Sequence, residues 1–239
     1  SYSQVVENRE YRRSKGVSCG FITTVTRNNI AHEKEILDSF KTLDCHAFHS
    51  NPYIYFSKNQ VKDQSIALNG DDFAKYLINE FNAWLDNGKV EPIPQTVDYM
   101  LQCLVSKQAS HDTICTYGGR CLTNFMAVIP SGDVYTCPKF TASENMKLGN
   151  VNTSTIAEML SLDNPIMVDI INQRLEAFKK CEERDCKYGY ICNGGCPYHS
   201  FIASDGKNVS EKDCLCEAKI KVMDYIKSVA DTIIEQGDF

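Results

Sequence analysis

Nine of the twelve cysteines in this 239-residue chain lie from position 115 onward, at spacings that any fold has to satisfy first. Cys115 is followed by five residues and Cys121; ten residues, Gly132 and four more lead to Cys137. Cys181, Cys186, Cys192 and Cys196 then follow with four, five and three residues between them, and Cys214 and Cys216 close the series. Eight or nine thiols so arranged make two sets of four. Thiolates are soft donors that favour iron-sulfur clusters and zinc, and a cubane needs four of them on loops able to wrap it. Tyr188-Gly189, Asn193-Gly194-Gly195 and Gly118-Gly119 suit such loops, since glycine lets backbone N–H groups approach inorganic sulfide.

Two plainer readings compete. A disulfide framework belongs to small secreted chains, yet the opening SYSQVVENREYRRSKG does not resemble a secretory signal, and the first half has an α/β pattern that needs no staples. A cytoplasmic location is therefore expected, where thiols stay reduced. Structural zinc usually takes Cys-x2-Cys knuckles or Cys/His mixtures, and here the spacings are wide with no histidine at knuckle distance. Cys19, Cys45 and Cys103 stand outside the pattern and read as core thiols. His32, His46, His49, His111 and His199 read as ordinary polar or half-buried residues; His199, three after Cys196, is the one placed to touch a cluster.

A net charge of -6 without a basic stripe argues against nucleic acid as partner, and no apolar run approaches the ~20 residues that cross a bilayer. At ~100 to 200 residues per domain the length allows one large or two small domains. We expect two unequal parts, with the boundary near Ser110.

Residues 1–16 read as a helix with no opening cap, as in a fragment or a split subunit. VSCGFITTV then reads as a buried parallel strand with apolar residues on both faces, 31–42 as a helix, and Ala47 to Phe56 as a second strand. Residues 71–86 give the clearest helix, with Phe73, Tyr76, Leu77, Phe81, Trp84 and Leu85 on one stripe and a stop at Asn87-Gly88. Thr96 to Ser106 reads as a further helix. The order of helices and strands is a βαβ signature. Beyond it, NFMAVIPSGDVYTC reads as a β-hairpin turning at Pro130 to Asp133 with Gly132 free to take positive φ. Thr155 and Glu158 have capping-box spacing, Ile166 to Lys180 reads as a helix, and the last helix is expected from Glu211 to about Gln236. The cysteine-rich stretch offers little apolar core, so its folding energy should come largely from metal.

The spacing of Cys121, Gly132, Cys137, Cys181, Cys186, Cys192, Cys196 and Cys214 resembles the SPASM domain of radical S-adenosylmethionine (SAM) enzymes, departing at Cys181-x4-Cys186, where that family usually has two intervening residues. GVSCGFITTVTRNN, a helix and HAFHSNPYIYF resemble the fifth and sixth strands of the partial (β/α)6 barrel that binds SAM. The resemblance implies an α/β fold: the C-terminal part of such a barrel with bridging helices over 1–109, then a cysteine-rich α+β SPASM domain with a β-hairpin and C-terminal helix over 110–239. It implies two auxiliary [4Fe-4S] clusters. One is held by Cys115, Cys121, Cys137 and Cys196, the other by Cys181, Cys186, Cys192 and Cys214, with Cys216 the alternative last ligand.

The same resemblance implies a peptide or protein substrate, modified through a 5′-deoxyadenosyl radical derived from SAM, and an electron donor such as flavodoxin or ferredoxin. No Cys-x3-Cys-x2-Cys motif occurs in the chain. SAM and a third [4Fe-4S] cluster are therefore expected to come with a missing N-terminal segment or subunit, and this chain alone is expected to be inactive. Anaerobic sulfatase-maturating enzymes share the Cys-x5-Cys opening but carry Asp directly after the cysteine matching Cys137, where this chain has Pro138. Ribosomal-peptide crosslinking is therefore placed ahead of sulfatase maturation. An electron-transfer or scaffold subunit without SAM chemistry of its own and a zinc-stabilised interaction module are the remaining alternatives.

Overall fold

A computed structural model describes residues 2–54, 64–109, 114–117, 121–141 and 143–236. Tyr55, Phe56, Ser110, His111, Gly118 and Gly119, which the sequence reading invoked, lie outside them. The described residues form two compact units, one running to Val105 and resumed from Ala218, the other between Ser106 and Glu217.

The first unit opens with α1 (Tyr2–Ser14), then β1 (Phe21–Val25), α2 (Glu33–Thr42), β2 (Ala47–Pro52), α3 (Gly70–Asp86), β3 (Ile93–Pro94) and α4 (Gln95–Ser106). Its three strands pair in the order β1-β2-β3, all parallel, with Phe21 opposite Phe48 and Ala47 opposite Ile93. Strand, helix and strand succeed one another twice, as parallel pairing requires. The first strand is shorter than VSCGFITTV and only one of its faces is packed. Phe21 stacks on Phe40 of α2 with centroids 5.2 Å apart and Val25 is fully buried, whereas Ile22 is 73% exposed. An edge strand covered from one side buries alternate residues, so the expectation of two apolar faces fails here.

Helix α3 follows its pattern closely. Asn69 caps it by accepting from Asp72 N–H, Phe73, Tyr76, Leu77, Phe81 and Trp84 are buried, and Gly88 takes φ +78° beyond the end. Leu85 is half-buried. The two-residue β3 is too short to leave a periodic signal.

The second unit contains α5 (Cys121–Asn124), β4 (Ala127–Val128), β5 (Asp133–Tyr135), β6 (Lys147–Asn150), α6 (Ile156–Met159), α7 (Pro165–Glu183), α8 (Gly189–Cys192) and α9 (Pro197–Ala203). Strands β4 and β5 pair antiparallel across a turn in which Gly132 has φ +87°, and β6 extends the sheet beside β5. Thr155 and Glu158 form both bonds of a capping box on α6. Contrary to the expectation of little apolar core, Val134, Phe140, Leu148, Ile170, Phe201 and Val209 belong to one buried cluster. The sheet packs on α7 and α9 residues and brings a core of its own.

The final helix, α10 (Cys216–Gln236), begins five residues later than expected. The Asp213 carboxylate accepts from Leu215 N–H at 2.7 Å and its carbonyl accepts from Cys216 N–H, which holds residues 213–216 in a turn before the helix. Nor does α10 pack as part of a 110–239 domain. From Ala218 on it belongs to the first unit, where Tyr225 meets Phe81 edge-on, its hydroxyl donates to Asn82 Oδ1 at 3.0 Å, and Lys221 pairs with Asp71. Val222, Ile226 and Ala230 supply the apolar stripe that this packing buries.

Candidate metal centre

The thiols of the second unit arrive on short, turn-rich segments. Cys121 opens α5, Cys137 precedes a 3-10 turn begun by Pro138, Cys192 ends α8, and Cys196 is the N-cap of α9. Cys181 sits in the last turns of α7, and Cys186 follows after Arg184 caps that helix and Asp185 takes φ +49°. Cys196 is buried, Cys115 and Cys214 are exposed, and the other six are half-buried.

Their electrostatics show which thiols share a neighbourhood. Burial pushes the Cys121 thiol up to about 12, and the charges of Cys196, Cys137 and Cys115 push the same way while Arg174 opposes them. Those are the four positions expected to hold one cluster. Burial also raises Cys137, tempered by the Lys139 backbone N–H and charge. In the other expected set, burial raises Cys181, which also feels Cys186; burial likewise raises Cys216, which feels Asp213 and Cys186. Cys216 thus lies within electrostatic reach of Cys186, one of the second set.

Around these thiols runs a buried polar frame. Arg174, on α7, is 4% exposed; it donates from Nη1 to Val209 O at 3.1 Å, and from Nη2 to Gly195 O at 3.1 Å and Asn193 O at 3.4 Å. Asp213 Oδ2 accepts from Cys196 N–H at 2.9 Å, and Oδ1 lies 3.2 Å from His199 Nδ1. Both frames need glycine between the cysteines: a Cβ on Gly195 (φ +75°) would stand 2.5 Å from Asp213 Oδ2, and one on Gly194 (φ +74°) 3.0 Å from Arg174 Nη2.

The sequence reading missed Arg174 and Asp213. Arg174 had a signal, a charge set in the buried stripe Met167, Ile170, Arg174, Ala177. His199 is fully buried rather than half-buried. Of the thiols placed in the core, Cys45 and Cys103 are buried but Cys19 is half-exposed, its Sγ 3.8 Å from Val17 O.

Among the described residues no three His, Cys, Asp or Glu side chains are placed to hold a single metal ion. In a cubane each cysteine binds a different iron, so its thiols ring the site without converging on one point. The residues fit that kind of group. The donors are all thiols, and two buried polar atoms, Arg174 Nε and Thr136 Oγ1 next to Cys137, have no hydrogen-bond partner among the described residues.

Comparison with known proteins agrees with this chemistry. Residues 115–187 match the SPASM family, an iron-sulfur cluster-binding domain. The chain is 21% identical over 195 residues to the serine-type anaerobic sulfatase-maturating enzyme of Klebsiella aerogenes, spanning 80% of this chain and 44% of that one. Its fold is that of anSMEcpe with bound AdoMet, with TM-score 0.71 at 22% identity over 96% of this chain and 61% of that one. It also matches anSMEcpe with bound AdoMet and the Kp18Cys peptide, with TM-score 0.71 at 23% identity over 97% and 63%. The chain therefore spans about two fifths to three fifths of the relatives it matches. The family match falls on the cysteine-rich half, and the solved structures share the fold across nearly the whole chain. No helix among the described residues is long and apolar enough to cross a membrane.

Proposed function

We propose that this chain is the back part of a radical SAM/SPASM maturase that modifies a peptide or protein, and that its second unit carries two auxiliary [4Fe-4S] clusters. The observation that carries the reading is the convergence of Cys115, Cys137 and the distant Cys196 on Cys121, whose thiol all three raise. Cys181, Cys186, Cys192 and Cys214, with Cys216 as the alternative, would hold the second cluster. With four thiols each, neither cluster keeps an open iron, which favours electron transfer or structural support over direct binding of substrate.

Iron content tests the metal reading. Anaerobically reconstituted protein should be brown and hold about eight irons per chain; colourless protein with tightly bound zinc would sink the proposal. Cys137→Ser or Cys196→Ser should lower the iron by up to half, while Cys103→Ser, at a fully buried position on α4, should leave it unchanged. Comparing Cys214→Ser with Cys216→Ser identifies the last ligand by which change removes iron.

For the reaction itself we place crosslinking of a ribosomally made peptide first, because Pro138 stands directly after Cys137 and offers no titratable group there. Maturation of a sulfatase is the second reading, supported by the sulfatase-maturating relative named above. When bound, SAM supplies the hydrogen-abstracting radical in either case. Product peptides from the complete enzyme should carry a new crosslink in tandem mass spectra. A sulfatase peptide modified by the complete enzyme without a crosslink would establish the second reading instead.

A further inference from the structure

Arg174 belongs to neither expected ligand set, yet it is the buried cation of the second unit's cysteine frame. Its Nη2 holds the carbonyls of Asn193 and Gly195, inside the loop that leads from Cys192 to Cys196, and Nη1 holds Val209. The Phe178 ring, 5.3 Å from the guanidinium carbon, covers one of its faces. Nε is a buried donor without a partner among the described residues. Cys196 and Cys121, assigned to one cluster, and Cys192, assigned to the other, lie within its electrostatic reach, as does Asp213.

We infer that Arg174 is a positioning residue shared by the two cluster sites, which fixes the Cys192–Cys196 loop and raises the reduction potential of both clusters. This rests on the two-cluster reading proposed above. An α-helical position two turns before Cys181 gives the charge a rigid mount. Arginine suits the place because its planar fork can hold several carbonyls at once and stays protonated when buried, whereas a lysine keeps the charge but not the fork. Reducing a cluster adds one electron and one negative charge, which a nearby desolvated cation stabilises.

The test is an EPR-monitored redox titration of the reconstituted chain with dithionite as reductant, comparing wild type, Arg174→Gln and Arg174→Lys, with iron content measured on each. In Arg174→Gln both couples should become harder to reduce by about tenfold in the reduced-to-oxidised ratio, equivalent to about 59 mV for a one-electron couple. Arg174→Lys should restore both. If Arg174→Gln takes up no iron, wild-type potentials in Arg174→Lys still support a requirement for the charge. The inference falls if Arg174→Gln loads two clusters and shifts one couple or neither. It falls too if Arg174→Gln fails to load and Arg174→Lys also fails or loads with altered potentials, which would make the guanidinium a loop brace only. Wild type that binds no iron would instead overturn the cluster reading itself.

Discussion

Stripping iron from the reconstituted chain is expected to loosen the cysteine-bearing segments far more than the sheet beside them. The second unit has an apolar cluster of its own around Val134, Leu148 and Ile170, so its centre does not depend on metal. Of the described side chains in 121–124 and 186–196 only Leu122 belongs to that cluster, and the short helices α5 and α8 are too brief to stand alone. Hydrogen exchange read by mass spectrometry should show at least tenfold faster exchange at 121–124 and 186–196 after chelation, with 133–136 and 166–177 nearly unchanged. Uniform loss of protection across the unit would instead mean that the metal supplies its folding energy throughout.

Alkaline pH should weaken the iron-free chain further. The Cys121 thiol titrates near 9.0 when unfolded and near 12 when folded, so the folded state holds its proton more tightly. That contribution is fully present below pH 9 and is lost as the pH rises from 9 toward 12. Thermal melts of the stripped protein should accordingly fall over that window. In the loaded protein, where the thiol is already deprotonated by metal, they should be steadier.

The second large effect is all-or-none. Given SAM and a strong reductant, the isolated chain should release no 5′-deoxyadenosine above the background with reductant alone. The chain contains no Cys-x3-Cys-x2-Cys loop, and under the proposed assignment both of its clusters are fully ligated. Supplying a segment that carries such a loop, in cis or as a partner, should restore the product. Chromatographic detection of turnover by this chain alone would reveal a SAM site within it and overturn the assignment of 1–109 to the back of a barrel.

The cysteine pattern was legible because ligand spacing is a short-range property that each loop writes into its own sequence. Long, strongly periodic elements were legible for a similar reason: α3 and α7 bury one stripe each, and the stripe can be counted. Three features were not. Strand β3 spans two residues, and α8 and α9 run four and seven, too short for a period to show. The stripe of α10 could be read, but its partner could not, since an apolar face does not say which surface will cover it. Arg174 owes its role to Asn193, Gly195 and Val209, 19 to 35 residues away, and Asp213 to the backbone N–H of Cys196, 17 residues before it. No local pattern announces a contact of that kind.

Helix α7 runs without a break past Cys181 to Glu183, and this gives the departure at Cys181-x4-Cys186 a geometric meaning. Seven residues separate Arg174 from Cys181, nearly two whole turns, so cation and thiol share one face about 10 Å apart along the rod. The helix therefore acts as a ruler whose graduations are residues. One residue inserted between them would swing the thiol by about 100° around the axis without moving the arginine, whereas the same insertion between Asp185 and Cys186 would fall in a turn that can absorb it. The tolerated place for length variation in this part of the molecule is thus the turn after Arg184, and the two additional residues that distinguish this chain's spacing lie against it.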